Sequence, residues 1–101
     1  MSAVATAERL DDIRTFLPGI SEAEYERRAK LRSLRNTAVA LATKTESGTA
    51  RQLAWTASDY AHALMYAPAD DAALAETARF CTRIMVCAMQ AEQMADEGIV
   101  A

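Results

Sequence analysis

The chain has 101 residues and a net charge of −3, and 51% of its residues are hydrophobic, although 23 of these are alanine. This length provides for a single domain over residues 1–101 and excludes separate catalytic and substrate domains. No apolar run approaches the ~20 residues that span a bilayer, and residues 1–8 carry no basic or long apolar stretch. We therefore expect a cytoplasmic protein with no membrane anchor and no secretory signal.

Helical spacing and helix-breaking residues predict four helices and no strand. The first covers about residues 3–17 and ends at Pro18-Gly19. The second covers about residues 21–45 and begins with a capping box, in which Ser21 caps the Glu24 amide and Glu24 reaches back. The apolar positions are Leu10, Ile13, Phe16 and Leu17 on the first helix, and Leu31, Leu34, Ala38 and Leu41 on the second.

The third helix is predicted over about residues 49–66, from a second capping box at Thr49, and the fourth over about residues 71–96, after Pro68. The sequence thus predicts an all-α fold, a small antiparallel bundle of three main helices with a shorter N-terminal helix. The third helix has the apolar positions Leu53, Ala57, Tyr60 and Leu64. The fourth has a main stripe of Ala73, Thr77, Phe80, Ile84, Cys87, Ala91 and Met94 and a neighbouring stripe of Leu74, Ala78, Cys81, Met85 and Ala88.

The fourth helix has the widest apolar face of the predicted helices. A helix that is apolar over so much of its circumference must be covered on more than one side, and alanine-rich seams bury little area per turn. We therefore expect part of its cover to come from a second copy, in a homodimer, or from a partner, with the other three helices of the same chain as the alternative cover. The predicted interface residues are Phe80, Ile84, Met85 and Met89.

The two cysteines, Cys81 and Cys87, are predicted to be buried free thiols. Their separation of six residues turns them roughly 240° apart on one helix and sets their Cα atoms about 9 Å apart, beyond disulfide reach. Buried free thiols are typical of a reducing compartment.

Basic residues are concentrated in the middle of the chain. Residues 27–51 contain seven basic and one acidic side chain between two acidic flanks. Arg28, Arg32 and Arg35 recur at i, i+4 and i+7 on a flank that we expect to face solvent, and Glu24 is placed to pair with Arg28. A solvated or internally paired face, a protein-binding site and a nucleic-acid site all remain open from this pattern.

A polar and aromatic stripe, formed by Trp55, Asp59, His62 and Tyr66, follows one side of the third helix. We expect Asp59 to hold the His62 ring, and Trp55 and Tyr66 either to pack in the core or to form an exposed ridge that anchors a partner. The chain has a single histidine and no second acid-x-x-His pair, so we predict no metal and no cofactor.

These observations favour a function without catalysis. One histidine, no glycine-rich phosphate loop and no nucleophile elbow predict that the chain is not an enzyme. The sequence predicts a protein–protein interaction module, a small adaptor, regulator or inhibitor, that binds another protein through Arg28, Arg32, Arg35, Trp55 and Tyr66. The alternatives are a nucleic-acid-binding regulator that uses residues 27–51, and a small helical enzyme or metal-binding bundle assembled across a dimer.

Overall fold

The computed structural model describes residues 12–98, which form four α-helices and contain no strand. The helices are α1 (Asp12–Phe16), α2 (Glu22–Lys44), α3 (Gly48–Met65) and α4 (Asp71–Asp96). The helix α3 packs against both α2 and α4, while α2 also contacts α4 and α1. The all-α bundle of three main helices and a short one is confirmed, and the part of the first predicted helix before residue 12 lies outside the described residues.

Each of the three long helices begins at a side chain that accepts a hydrogen bond from a first-turn amide. The Ser21 Oγ accepts from the Glu24 amide at 3.1 Å, as predicted, and the Asp70 carboxylate accepts from the Ala73 amide at 2.8 Å. For α3 the predicted cap at Thr49 is wrong. The cap is Ser47, whose Oγ accepts from the Ala50 amide at 3.1 Å, because Gly48 adopts a helical conformation and starts the helix two residues earlier.

Alanine forms most of the core. Nine of the sixteen buried hydrophobic residues among those described are alanines, and small side chains let helix axes approach closely. The buried face of α3 consists of Ala50, Ala54, Ala57, Ser58, Ala61 and Met65. Of the stripe predicted on α3, Ala57 is buried as predicted and Leu53 and Leu64 pack against the edge of the core. The predicted burial of Tyr60 is wrong, since Tyr60 is 50% exposed.

The buried stripe of α4 is the one that the sequence placed second. Its residues Leu74, Ala78, Cys81, Met85 and Ala88 are all buried, and Ala91 of the stripe predicted as the main one is buried with them. The stripe predicted as the main one lies at the edge of the core, with Phe80 38% and Met94 37% exposed. Both stripes have the same spacing, so periodicity alone does not distinguish them.

Two further predictions about burial are decided by the structure. Cys81 is buried, as predicted, and its Sγ donates to the Ala57 carbonyl at 3.4 Å; burial raises the pKa of this thiol. Cys87 is exposed, so its predicted burial is wrong. On α2, Leu31, Ala38 and Leu41 are buried as predicted.

Candidate functional site

Arg28 does not lie on a solvent-facing flank. It is 2% exposed, and its Nη1 lies 2.8–3.1 Å from the carbonyl oxygens of Leu64, Met65 and Ala67 at the end of α3. Its Nε donates to Glu24 at 2.9 Å, which confirms the predicted pair. The last carbonyls of a helix have no partner within the helix, and Arg28 supplies donors to them. This arginine therefore stabilises the bundle and is closed to a partner.

Arg32 and Tyr66 converge on Asp12. Arg32 donates to one carboxylate oxygen at 3.2 Å, and the Tyr66 hydroxyl donates to the other. Burial raises the pKa of Asp12, but the hydrogen bonds from Tyr66 and Arg32 and the positive charge of Arg32 and Arg35 outweigh it, so this pKa lies below its usual value. Burial and the neighbouring carboxylate raise the pKa of Tyr66. These two predicted partner-binding residues thus hold α1 in place.

Arg35 lies beside His62. Its Nη1 is 3.3 Å from His62 Nδ1, and because a guanidinium only donates, Nδ1 is the acceptor in this contact. The His62 ring also packs edge-on against Tyr66, with 5.9 Å between ring centroids. The predicted Asp59–His62 interaction is wrong, since Arg35 takes that place.

The predicted aromatic ridge is only partly assembled. Trp55 is 41% exposed on α3, and Tyr66 is half-buried with its ring 5.1 Å from that of Phe16. Phe16 is 67% exposed, although its helical spacing predicted burial. Among the five predicted partner-binding residues, the structure leaves Trp55 as the exposed one and gives the arginines contacts within the chain.

The four predicted interface residues fall on different sides of α4. Met85 is buried in the core, whereas Met89 is exposed. Phe80 is exposed and Ile84 is partly buried on the side that faces α3, where Phe80 contacts Tyr60. The four residues therefore cannot all belong to one dimer interface. Phe80 and Ile84 share one side of α4, and Met85 is enclosed in the core.

A basic groove of about 440 Å³ lies between α2 and α4. The basic groove is lined by Arg27, Lys30, Ala75, Ala78, Arg79, Thr82 and Arg83. The small side chains of α4 leave the space, and four cationic side chains surround it. A second depression of about 310 Å³ shares Arg27 and Lys30 with it.

Most of the positive charge of the groove is not neutralised locally. Arg27 donates to Asp71 at 3.0 Å. Lys30, Arg79 and Arg83 form no ion pair with any residue in the range 12–98. These cations are therefore available to an acidic ligand.

The sequence did not point to this groove because its two halves are distant in the chain. Arg79 and Arg83 belong to the segment after residue 52, which has a net negative charge. The available signal was their i, i+4 spacing on the face of α4 away from Leu74 and Cys81. Their position beside Arg27 and Lys30 depends on how α2 and α4 pack.

The described part of the chain contains no group of metal-ligating side chains that would hold an ion, and none of its helices has the length and apolar composition of a membrane span. The fold and the groove define a small helical bundle with a basic surface. Comparison of the chain with protein-family models, curated proteins and solved structures finds no match. The function proposed below therefore depends on the residues of this chain alone.

Proposed function

We propose that this chain is a protein-binding module without enzymatic activity, and that its basic groove binds an acidic segment of another protein. The observation that supports this function is the convergence of four cationic side chains from two helices on one groove, three of them without an ion pair inside residues 12–98. Complementary charge of this kind directs encounter with a partner and selects among partners.

Apolar side chains extend the same face of α4. Val86 and Met89 are exposed and follow Thr82 at i+4 and i+7, so they continue the line of the groove along the helix. An amphipathic helix with carboxylates on one side fits this arrangement, because its acidic side chains meet the cations while its apolar side chains cover Val86 and Met89.

Acidic residues beside the groove favour a protein segment over nucleic acid. Glu26 lines the second depression together with Lys30, Glu76 lines a further depression together with Arg83, and Asp71 pairs with Arg27. A duplex carries one negative charge per about 1.7 Å of its axis, so these carboxylates repel a continuous row of phosphates. A peptide helix with only a few carboxylates can place its negative charges beside the cations of the groove and away from these acidic residues. Nucleic acid is thus the second outcome that an experiment has to test.

The probe for this proposal is a fluorescent amphipathic peptide of about 20 residues with leucine on one face and glutamate on the other. A peptide with glutamine in place of glutamate and a DNA duplex of about 20 base pairs serve as comparisons. In fluorescence anisotropy at about 50 mM salt, we expect the acidic peptide to bind at least about tenfold more tightly than the neutral one.

Two substitutions on α2 locate the site. Lys30→Glu reverses a charge in the groove and should weaken binding about tenfold, whereas Lys44→Glu makes the same change at an exposed position of α2 outside it and should leave affinity unchanged. Equal affinity for the two peptides, or equal losses in the two variants, would contradict the proposal. Binding of the duplex alone, with a steep salt dependence, would favour the nucleic-acid alternative.

A further inference from the structure

The helix α4 carries a second apolar stripe outside the core. Phe80, Cys87 and Met94 recur at intervals of seven, and all three are exposed. Ile84 lies between them and is partly buried. An apolar repeat of seven residues is the pattern by which one helix packs along another. The buried stripe of α4 already faces α2 and α3, so this outer stripe is left for another helix.

Tyr60 of α3 widens the outer stripe. Its ring packs edge-on against Phe80 with 5.0 Å between centroids, and Tyr60 itself is half exposed. The exposed aromatic pair therefore belongs to one surface with Cys87 and Met94, named here the outer seam: Tyr60, Phe80, Ile84, Cys87 and Met94.

We infer that a second copy of this chain covers the outer seam, with the two α4 helices antiparallel and related by a two-fold axis near Cys87. Phe80 lies seven residues before Cys87 and Met94 lies seven residues after it. An antiparallel copy thus sets Phe80 of one chain against Met94 of the other, twice, as a self-complementary two-fold interface requires.

The charges along α4 select the antiparallel arrangement. Glu97 directly follows the last residue of α4 and lies 18 residues after Arg79, which is five helical turns. The two residues therefore lie on the same side of the helix axis. The two-fold rotation near Cys87 places Arg79 of one copy beside Glu97 of the other, with an offset of about 3 Å along the helix axis. In a parallel two-fold pair the two Arg79 side chains lie on opposite flanks of the seam, and so do the two Glu97 side chains. The attractive contacts between Arg79 and Glu97 therefore form only in the antiparallel arrangement.

The first experiment measures the mass of the full chain in solution by light scattering after size-exclusion chromatography. We expect twice the 11.0 kDa of one chain at about 100 μM, where a dimer of this kind is populated. Phe80→Glu should give the mass of one chain with unchanged helical circular dichroism. Val86→Glu, an exposed position of the same helix on the groove side, should remain dimeric. A single-chain mass for the unmodified protein, or a dimeric Phe80→Glu variant, would overturn the inference.

The second experiment tests the orientation without changing a core residue. Cys81 is buried, so Cys87 is the thiol available for a bis-maleimide with a spacer of about 8 Å, and it should cross-link two copies in high yield at the two-fold axis. In a Cys87→Ser, Glu97→Cys chain, the antiparallel arrangement sets the two thiols about 30 Å apart along the helices, and the cross-link should be lost. Efficient cross-linking through position 97, or none through Cys87, would overturn the arrangement.

The dimer and the basic groove are tested separately. Arg79 borders both surfaces, but the groove substitution Lys30→Glu lies on α2, away from the outer seam. We therefore expect Lys30→Glu to weaken peptide binding and to leave the mass in solution unchanged.

Discussion

The Arg28 guanidinium closes the C-terminal end of α3 from inside the bundle. Its Nη1 lies within hydrogen-bond distance of two carbonyls in the last turn of α3 and of one carbonyl just after the helix, while its Nε pairs with Glu24. A buried charge is tolerated here because both Nε and Nη1 have oxygen acceptors. A side chain without donors at this position leaves buried carbonyls unsatisfied, and each such loss is costly.

Arg28→Met tests this role, because methionine retains the aliphatic packing and removes the donors. We expect the free energy of unfolding in urea to fall by about 3 kcal/mol, and the melting temperature to fall by about 15 °C. Arg35→Met, which removes the guanidinium that lies beside His62 and Asn36, should cost less than about 1 kcal/mol. A comparable small loss for Arg28→Met would show that water satisfies the α3 carbonyls equally well.

At the level of helices, start and stop signals proved more informative than apolar stripes. The bounds of α4 were predicted correctly because Pro68 precedes its start, whereas the stripe predicted as the main one lies at the edge of the core and the neighbouring stripe is the buried one. The apolar pattern predicts burial of Phe80, Ile84 and Met94 because their side chains are large. The core consists mostly of alanine, however, and these larger side chains lie at its edge. In an alanine-rich chain the closest helix contacts are made by small residues, and the size of a side chain does not indicate its burial.

The candidate site shows the same limit at longer range. The predicted cluster of Arg28, Arg32 and Arg35 was correct as a row on α2, but the sequence does not reveal that α3 and α1 supply its acceptors. The basic groove combines residues about 50 positions apart, and only the packing of α2 on α4 brings them together.

The short helix α1 is held by one buried side chain, Ile13, and by the hydrogen bonds of Asp12. Because the pKa of Asp12 is lowered in the folded state, its contribution is fully present above its unfolded pKa and is lost as the pH falls through the folded value. The chain should therefore lose stability, partly through Asp12, as the pH falls below the ordinary aspartate pKa of 3.8.

Asp12→Asn isolates that contribution. Melting temperatures followed by circular dichroism at a series of pH values should fall less steeply on acidification in this variant than in the unmodified chain. Asp59→Asn, a change at an exposed carboxylate of α3, should follow the unmodified chain. If the Asp12→Asn curve runs parallel to that of the unmodified chain, ionisation of Asp12 contributes nothing to the docking of α1.

For the whole molecule, the alanine-rich core and the outer seam have a joint consequence for stability. Alanine removes little apolar area from water, so the energy from the core of one chain is modest, and covering Phe80, Cys87 and Met94 in a dimer adds to it. When folding is coupled to association, the melting temperature depends on protein concentration. For two chains of 101 residues, each tenfold increase in concentration should raise it by about 3 °C. The same dilution series on Phe80→Glu should give one constant, lower value, whereas a constant melting temperature for the unmodified chain over a hundredfold range would mean that folding is complete within a single chain.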